Sequence, residues 1–74
     1  MKADVKPLTR WAIYKGCKLR FRSRTPERVT GVLTDGDGHE TAFEYMPQSL
    51  VLHVRGQHIR MDEYGWEVER PNEA

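Results

Sequence analysis

The sequence predicts a mainly β protein: a small, strongly bent, five-stranded antiparallel barrel with a short N-terminal helix or arm. Three observations lead there. From residue 17 onward, apolar and polar residues alternate with period two in short runs. Turn-forming Gly, Pro and Asp separate those runs about every 8–12 residues. The chain has 74 residues and a single cysteine, enough for one domain with one core and no internal disulfide.

The chain divides into an N-terminal helix or arm (1–16), a barrel (17–70) and a disordered tail (71–74) beyond Pro71. In the first segment Leu8, Trp11, Ala12 and Lys15 fall on one helical stripe, with Pro7 or Thr9 near its start and Gly16 at the C′ position. The same letters also allow a strand, with Trp11 and Ile13 opposing Ala12 and Tyr14; a helix or irregular arm is the preferred reading.

The first strand begins at Cys17, where Leu19 and Phe21 alternate with Lys18, Arg20, Arg22 and Arg24. Thr25-Pro26-Glu27 turns the chain, since Pro presets the backbone of a first central turn residue. The second strand, Arg28 to Thr34, sets Val29, Gly31 and Leu33 on one face. Asp35-Gly36-Asp37-Gly38 holds two overlapping Asp-Gly pairs, a strong hairpin signal. Glu40 to Tyr45 alternates Thr41, Phe43 and Tyr45 against Glu40, Ala42 and Glu44, until Pro47-Gln48 interrupts. Ser49 to Arg55 turns Leu50, Leu52 and Val54 inward. Gly56-Gln57 leads into His58 to Asp62, where Ile59 and Met61 share a face, and Gly65 bends the path before Trp66 to Glu69.

A core this small contributes only about 3–5 kcal/mol of net stability, so self-association is an expected supplement. A lone cysteine fits the reducing cytoplasm, and no stretch has the length or apolarity of a signal peptide or membrane span. The expected setting is therefore cytoplasmic, without membrane contact.

The near-neutral net charge of +1 conceals a sorted chain. Residues 1–31 hold nine of the twelve Lys and Arg against Asp4 and Glu27, while residues 32–74 hold three Arg against nine acids. Either the halves pair with each other or one faces a charged partner. The candidate site is the basic strand: Lys18, Arg20, Arg22 and Arg24 at alternate positions, extended by Arg28 and Lys15. Alternate strand residues stand about 6.5–7 Å apart, comparable to successive phosphates of an extended nucleic-acid strand. The competing reading places the Glu40/Glu44 row or the Glu67/Glu69 row beside these cations as cross-strand ion pairs.

Tyr14, Tyr45, Tyr64 and Trp66 could stack on bases, but a small core needs large side chains. Trp11, Phe21, Phe43 and Trp66 are therefore expected inside, and Tyr64 is the favoured exposed stacker. Asp35, Asp37 and Glu40 are oxygen ligands without EF-hand spacing, which a hairpin tip explains equally well. His39, His53 and His58 lack zinc-ligand spacing, and His53 is expected on a sheet surface. No metal and no cofactor are expected. Cys17, just after Gly16, reads as a small buried side chain, and no nucleophile, phosphate-loop or dinucleotide motif occurs. The chain is expected not to be an enzyme.

Five strands of this kind suggest an SH3-like, Sm-like or OB-like barrel. Val29-Thr-Gly31-Val-Leu33-Thr-Asp35-Gly-Asp37 resembles the first signature of Sm-like proteins, with Gly31 at the bend-permitting glycine and Asp37 at the acidic turn position. The element order also resembles the Rof family of Rho-binding antiterminators, and Ile59-Arg60-Met61-Asp62 is similar to their late strand. Spanning about residues 17–64, the resemblance implies a small barrel and a nucleic-acid-related regulator. It assigns no catalytic or ligand residue.

Three functions follow as expectations. In the first, a non-catalytic module binds nucleic acid, RNA or DNA, through Lys18, Arg20, Arg22, Arg24, Arg28 and Tyr64. In the second, a regulator of bacterial or phage type binds a basic, nucleic-acid-binding protein through Glu40, Glu44, Asp62, Glu63, Glu67 and Glu69. The third is a structural accessory subunit whose charges cancel internally.

Overall fold

The computed structural model describes residues 4–68. A nine-residue helix, α1 (Lys6–Tyr14), precedes five strands: β1 (Lys18–Arg24), β2 (Val29–Thr34), β3 (Glu40–Met46), β4 (Val51–Val54) and β5 (Gln57–Arg60). The strands form one antiparallel sheet in sequence order. The sheet does not close: β1 and β5 are its two edges. The apolar face that a closed barrel would bury against itself is covered instead by α1. Residues 69 and 70 of the expected barrel, and the expected tail 71–74, lie outside the described residues.

The helix ends as its letters require. Gly16 takes φ +71°, the Gly16 N–H donates to Ile13 C=O (3.0 Å), and the Cys17 N–H donates to Ala12 C=O (2.8 Å). These two bonds satisfy the last helical carbonyls in a Schellman arrangement. Leu8, Trp11 and Ala12 then pack against Val29, Leu33, Phe43, Tyr45, Leu52, Val54 and Met61 to form the core. Lys15, the fourth residue of the expected stripe, stays exposed at the C-cap. Cys17, expected to be buried, is half-buried at the core margin.

The first strand departs from simple alternation. Its register with β2 slips between Phe21, opposite Gly31, and Ser23, opposite Thr30, leaving Arg22 as the extra residue of a bulge. Gly31 makes the crossing possible: a Cβ there would collide with the Arg20 carbonyl and stand 3.0 Å from both Phe21 Cα and the Phe43 ring. Beyond the bulge the faces exchange. Arg24, opposite buried Val29, lays its guanidinium 5.0 Å from the Phe21 ring centroid. Phe21 in turn meets Phe43 edge-on, with centroids 6.2 Å apart.

The fourth strand is shorter than its hydrophobicity suggests. Leu50 (φ +59°) and Arg55 (φ +53°) both leave the extended region, so β4 is confined to Val51–Val54. Arg55 and Gly56 (φ +73°) form a two-residue turn with both φ positive, closing Val54 against Gln57. The turn is therefore one residue earlier than Gly56-Gln57, which decides what lies opposite what in the last hairpin.

Candidate functional site

On the face of the sheet away from α1, the expected basic row is only partly a row. Lys18, Arg20, Arg22 and Arg24 are all exposed, but the bulge turns Arg24 to the face of Phe21. Arg20 sits opposite Val32 and reaches across β2 to Glu40 (3.6 Å). Its stem must cross over Val32, which accounts for a valine only 8% exposed on an outward-facing position. Arg28, beside the β1–β2 turn, pairs with Glu44 (2.9 Å). Among the described residues, neither Lys18 nor Arg22 has an ion pair.

The acidic candidates are largely engaged at home. Glu40 faces Arg20, and Glu44 lies between Arg28 and His53 Nδ1 (3.7 Å). Glu67 accepts a hydrogen bond from the Trp11 indole N–H (2.9 Å) and an ion pair from Lys15 (3.0 Å). These two donors hold its carboxyl below the usual carboxylate range, the indole contributing most. Asp62 is a turn-builder: its Oδ1 accepts the N–H groups of Tyr64 (2.8 Å) and Trp66 (3.0 Å). Glu63 is exposed, and Glu69 lies outside the described residues.

The hairpin tip at Asp35 behaves as a capped turn. Asp35 Oδ1 accepts from the Asp37 N–H (2.9 Å) and the His39 N–H (3.0 Å), while Oδ2 faces Arg55 (3.6 Å) and His39 Nδ1 (3.4 Å). The His39 backbone bond is the main reason its carboxyl titrates low. Donor atoms of Asp35, Asp37 and His39 lie within 4.8 Å of one another, but Asp35 is already oriented by the turn.

Two aromatic placements differ from expectation. Tyr45, named as a base-stacking candidate, is fully buried. Burial, reinforced by the nearby Asp4 carboxylate, pushes its phenol up to about 12. Among the described residues its hydroxyl has no hydrogen-bond partner. Trp66, expected inside, is 57% exposed and stacks on Tyr14, with ring centroids 4.2 Å apart and planes 11° off parallel. The reason is Gly65 (φ +87°), whose α-carbon is pressed so closely on α1 that a Cβ would meet the Pro7 carbonyl at 2.6 Å and Trp11 N at 2.8 Å. With Gly65 against the helix, the next side chain is carried outward over Tyr14. Tyr64 is exposed, as expected, and its carbonyl accepts the Tyr14 hydroxyl (3.2 Å). Ile13, Tyr14, Tyr64, Trp66 and Val68 are the exposed large apolar side chains of the described residues.

A second arrangement was hidden in the sequence by the displaced turn. Glu44, His53 and His58 occupy one register row across β3, β4 and β5. The His53 and His58 rings stack with centroids 3.9 Å apart and planes 10° off parallel. A turn at Gly56-Gln57 would instead pair Arg55 with His58; recognising Arg55-Gly56 as the two-residue turn was the signal that could have found the pair.

No family model, curated protein or solved structure matches this chain. Among the described residues, no helix is long and apolar enough to cross a membrane.

Proposed function

We propose that this chain is a non-catalytic binding module whose edge strand β1 meets single-stranded nucleic acid, RNA or DNA. The observation that carries this reading is the state of Lys18 and Arg22: exposed, on an edge strand, and without an ion pair among the described residues. An edge strand also presents unpaired backbone N–H groups, which are further donors for phosphate oxygens. Arg20 can join them. Its pair with Glu40 is long and solvent-exposed, worth about 0–1 kcal/mol, whereas Arg can grip a phosphate through two charge-assisted bonds. Arg28 extends the patch at the adjoining turn, and Arg24 flanks it from the other face. Exposed Tyr64, with Tyr14 and Trp66, offers rings for bases. The reading as a non-enzyme rests on the absence of a nucleophile-and-base pattern in the sequence. The Sm-like and Rof-type likeness of residues 17–64 and the cytoplasmic setting belong to this same proposal.

The test is fluorescence anisotropy of labelled single-stranded RNA and DNA across a salt series. Each neutralised phosphate contributes about 0.7 to the slope of log affinity against log salt. Lys18→Ala with Arg22→Ala is therefore expected to flatten the slope by about 1.4. No binding at low salt, or binding indifferent to the double substitution, overturns the proposal.

One observation favours a second reading, a protein–protein regulator. Glu63 and Asp62 flank exposed Tyr64 and Trp66, a mixture of negative charge and aromatic surface suited to a basic protein partner. Because Glu40, Glu44 and Glu67 are engaged internally, this reading would use the 62–66 turn and not the acidic rows. Self-association would compete for the same apolar surface.

A further inference from the structure

We infer that His53 and His58 form a binding site for a borderline divalent transition-metal ion of the Zn²⁺ class, with Glu44 orienting His53 from behind. The site is independent of nucleic-acid binding at β1.

The inference begins with the turn. Arg55-Gly56 is a two-residue connection, and Val54 pairs with Gln57 at its closing position. The next pair outward, His53 with His58, is then a non-hydrogen-bonded pair, in which opposing side chains come closest. Their rings stand 3.9 Å apart on the face of the sheet that α1 leaves open. Two Zn–N bonds of about 2.0–2.1 Å meeting at a tetrahedral angle place their nitrogens about 3.4 Å apart. The hairpin thus holds two imidazoles at nearly the separation one ion requires. The rings must rotate from parallel to convergent, and both side chains have the freedom: His58 is exposed and the His53 side chain is 36% exposed.

The third member completes the chemistry. Glu44 is the next residue in the same register row, and its Oε1 lies 3.7 Å from His53 Nδ1. A carboxylate at Nδ1 selects the tautomer that keeps the proton there and leaves the Nε2 lone pair for a metal. Glu44 is itself held by Arg28 through Oε2 (2.9 Å). It is therefore a positioning residue, and water would fill the remaining coordination positions. The imidazole pair favours Zn²⁺, Ni²⁺ or Cu²⁺ over Ca²⁺ or Mg²⁺, which prefer all-oxygen shells.

The experiment is titration of the full chain with Zn²⁺, followed by long-range ¹H–¹⁵N spectra of the histidine rings and by calorimetry. Saturation at one equivalent is expected, with the metal-dependent nitrogen shifts confined to His53 and His58. Saturable binding is expected to disappear in His53→Gln and in His58→Gln, to weaken about 10–100-fold in Glu44→Gln, and to persist in His39→Gln. All four positions are at least partly exposed, and circular dichroism confirms that each variant folds. Three results each overturn the site: no saturable binding, binding that survives His53→Gln and His58→Gln together, or binding lost in His39→Gln with the His53 and His58 resonances unmoved.

Discussion

The two faces of the sheet are built on different physics although they share the same five strands. The face under α1 is a continuous apolar layer in which Leu8, Val29, Tyr45 and Leu52 have no measurable exposure. The opposite face is a surface of paired charges: Arg20 with Glu40, and Arg28 with Glu44 and His53. Burying one Leu or Val contributes about 1.5–3 kcal/mol, while an exposed ion pair contributes about 0–1 kcal/mol. The covered face thus holds the fold together, and the open face is free to change partners. That asymmetry is what a small binding module needs, because its charges can leave one another for a ligand at little cost in stability.

The comparison is broken most directly at Leu52. Leu52→Ala removes a fully buried side chain from the centre of the covered face and is expected to cost about 2–5 kcal/mol. For a domain of this size that is most of the net stability, so urea unfolding followed by circular dichroism should show a population unfolded before denaturant is added.

The covered face has one polar exception, and it sharpens the contrast. The Tyr45 phenol is raised in the folded state to about 12 from an ordinary value of 10.0. The folded state therefore holds this proton more tightly than the unfolded state does. The associated stability is fully present below about pH 10 and is lost as pH rises towards 12. Tyr45→Phe is expected to remove this alkaline loss and, by deleting a buried hydroxyl without a partner among the described residues, to leave neutral-pH stability unchanged or about 1 kcal/mol higher. Thermal melts of both proteins at pH 8 and pH 11 check this. A larger neutral-pH loss in Tyr45→Phe would show that the hydroxyl makes a bond in the folded protein.

The smallest effect belongs to the open face. Arg20→Ala is expected to change unfolding free energy by no more than about 1 kcal/mol, with little dependence on salt. A loss comparable to that of Leu52→Ala would mean that the charge halves pair mainly to hold the fold, which is the accessory-subunit reading.

Much of the architecture was legible because period-two alternation and turn chemistry are local. Val29, Gly31 and Leu33 face inward as their spacing requires, and so do Phe43 and Tyr45. The helix stop at Gly16 and the hairpin at Asp35–Gly38 were equally readable. The expectation of closure was not met, because an N-terminal helix supplies the second layer that closure would otherwise provide. The candidate site was less legible. One bulge at Arg22 removes Arg24 from the row, and one displaced turn residue creates the His53–His58 pair. Both changes are single-residue slips, and in a strand a single-residue slip exchanges the faces of everything beyond it.

By itself, the sequence determined a mainly β fold of five antiparallel strands, the residues that face the core along β2 and β3, and the helix that precedes them. These follow from interactions between residues a few positions apart, which the order of letters states directly. Only the tertiary structure decided that the sheet stays open, that Glu67 joins Trp11 and Lys15, that Trp66 lies outside on Tyr14, and that Glu44, His53 and His58 form one row. Those outcomes depend on register and on contacts between residues as far apart as Trp11 and Glu67, where a glycine pressed on a helix or a turn moved by one position changes which side chains meet.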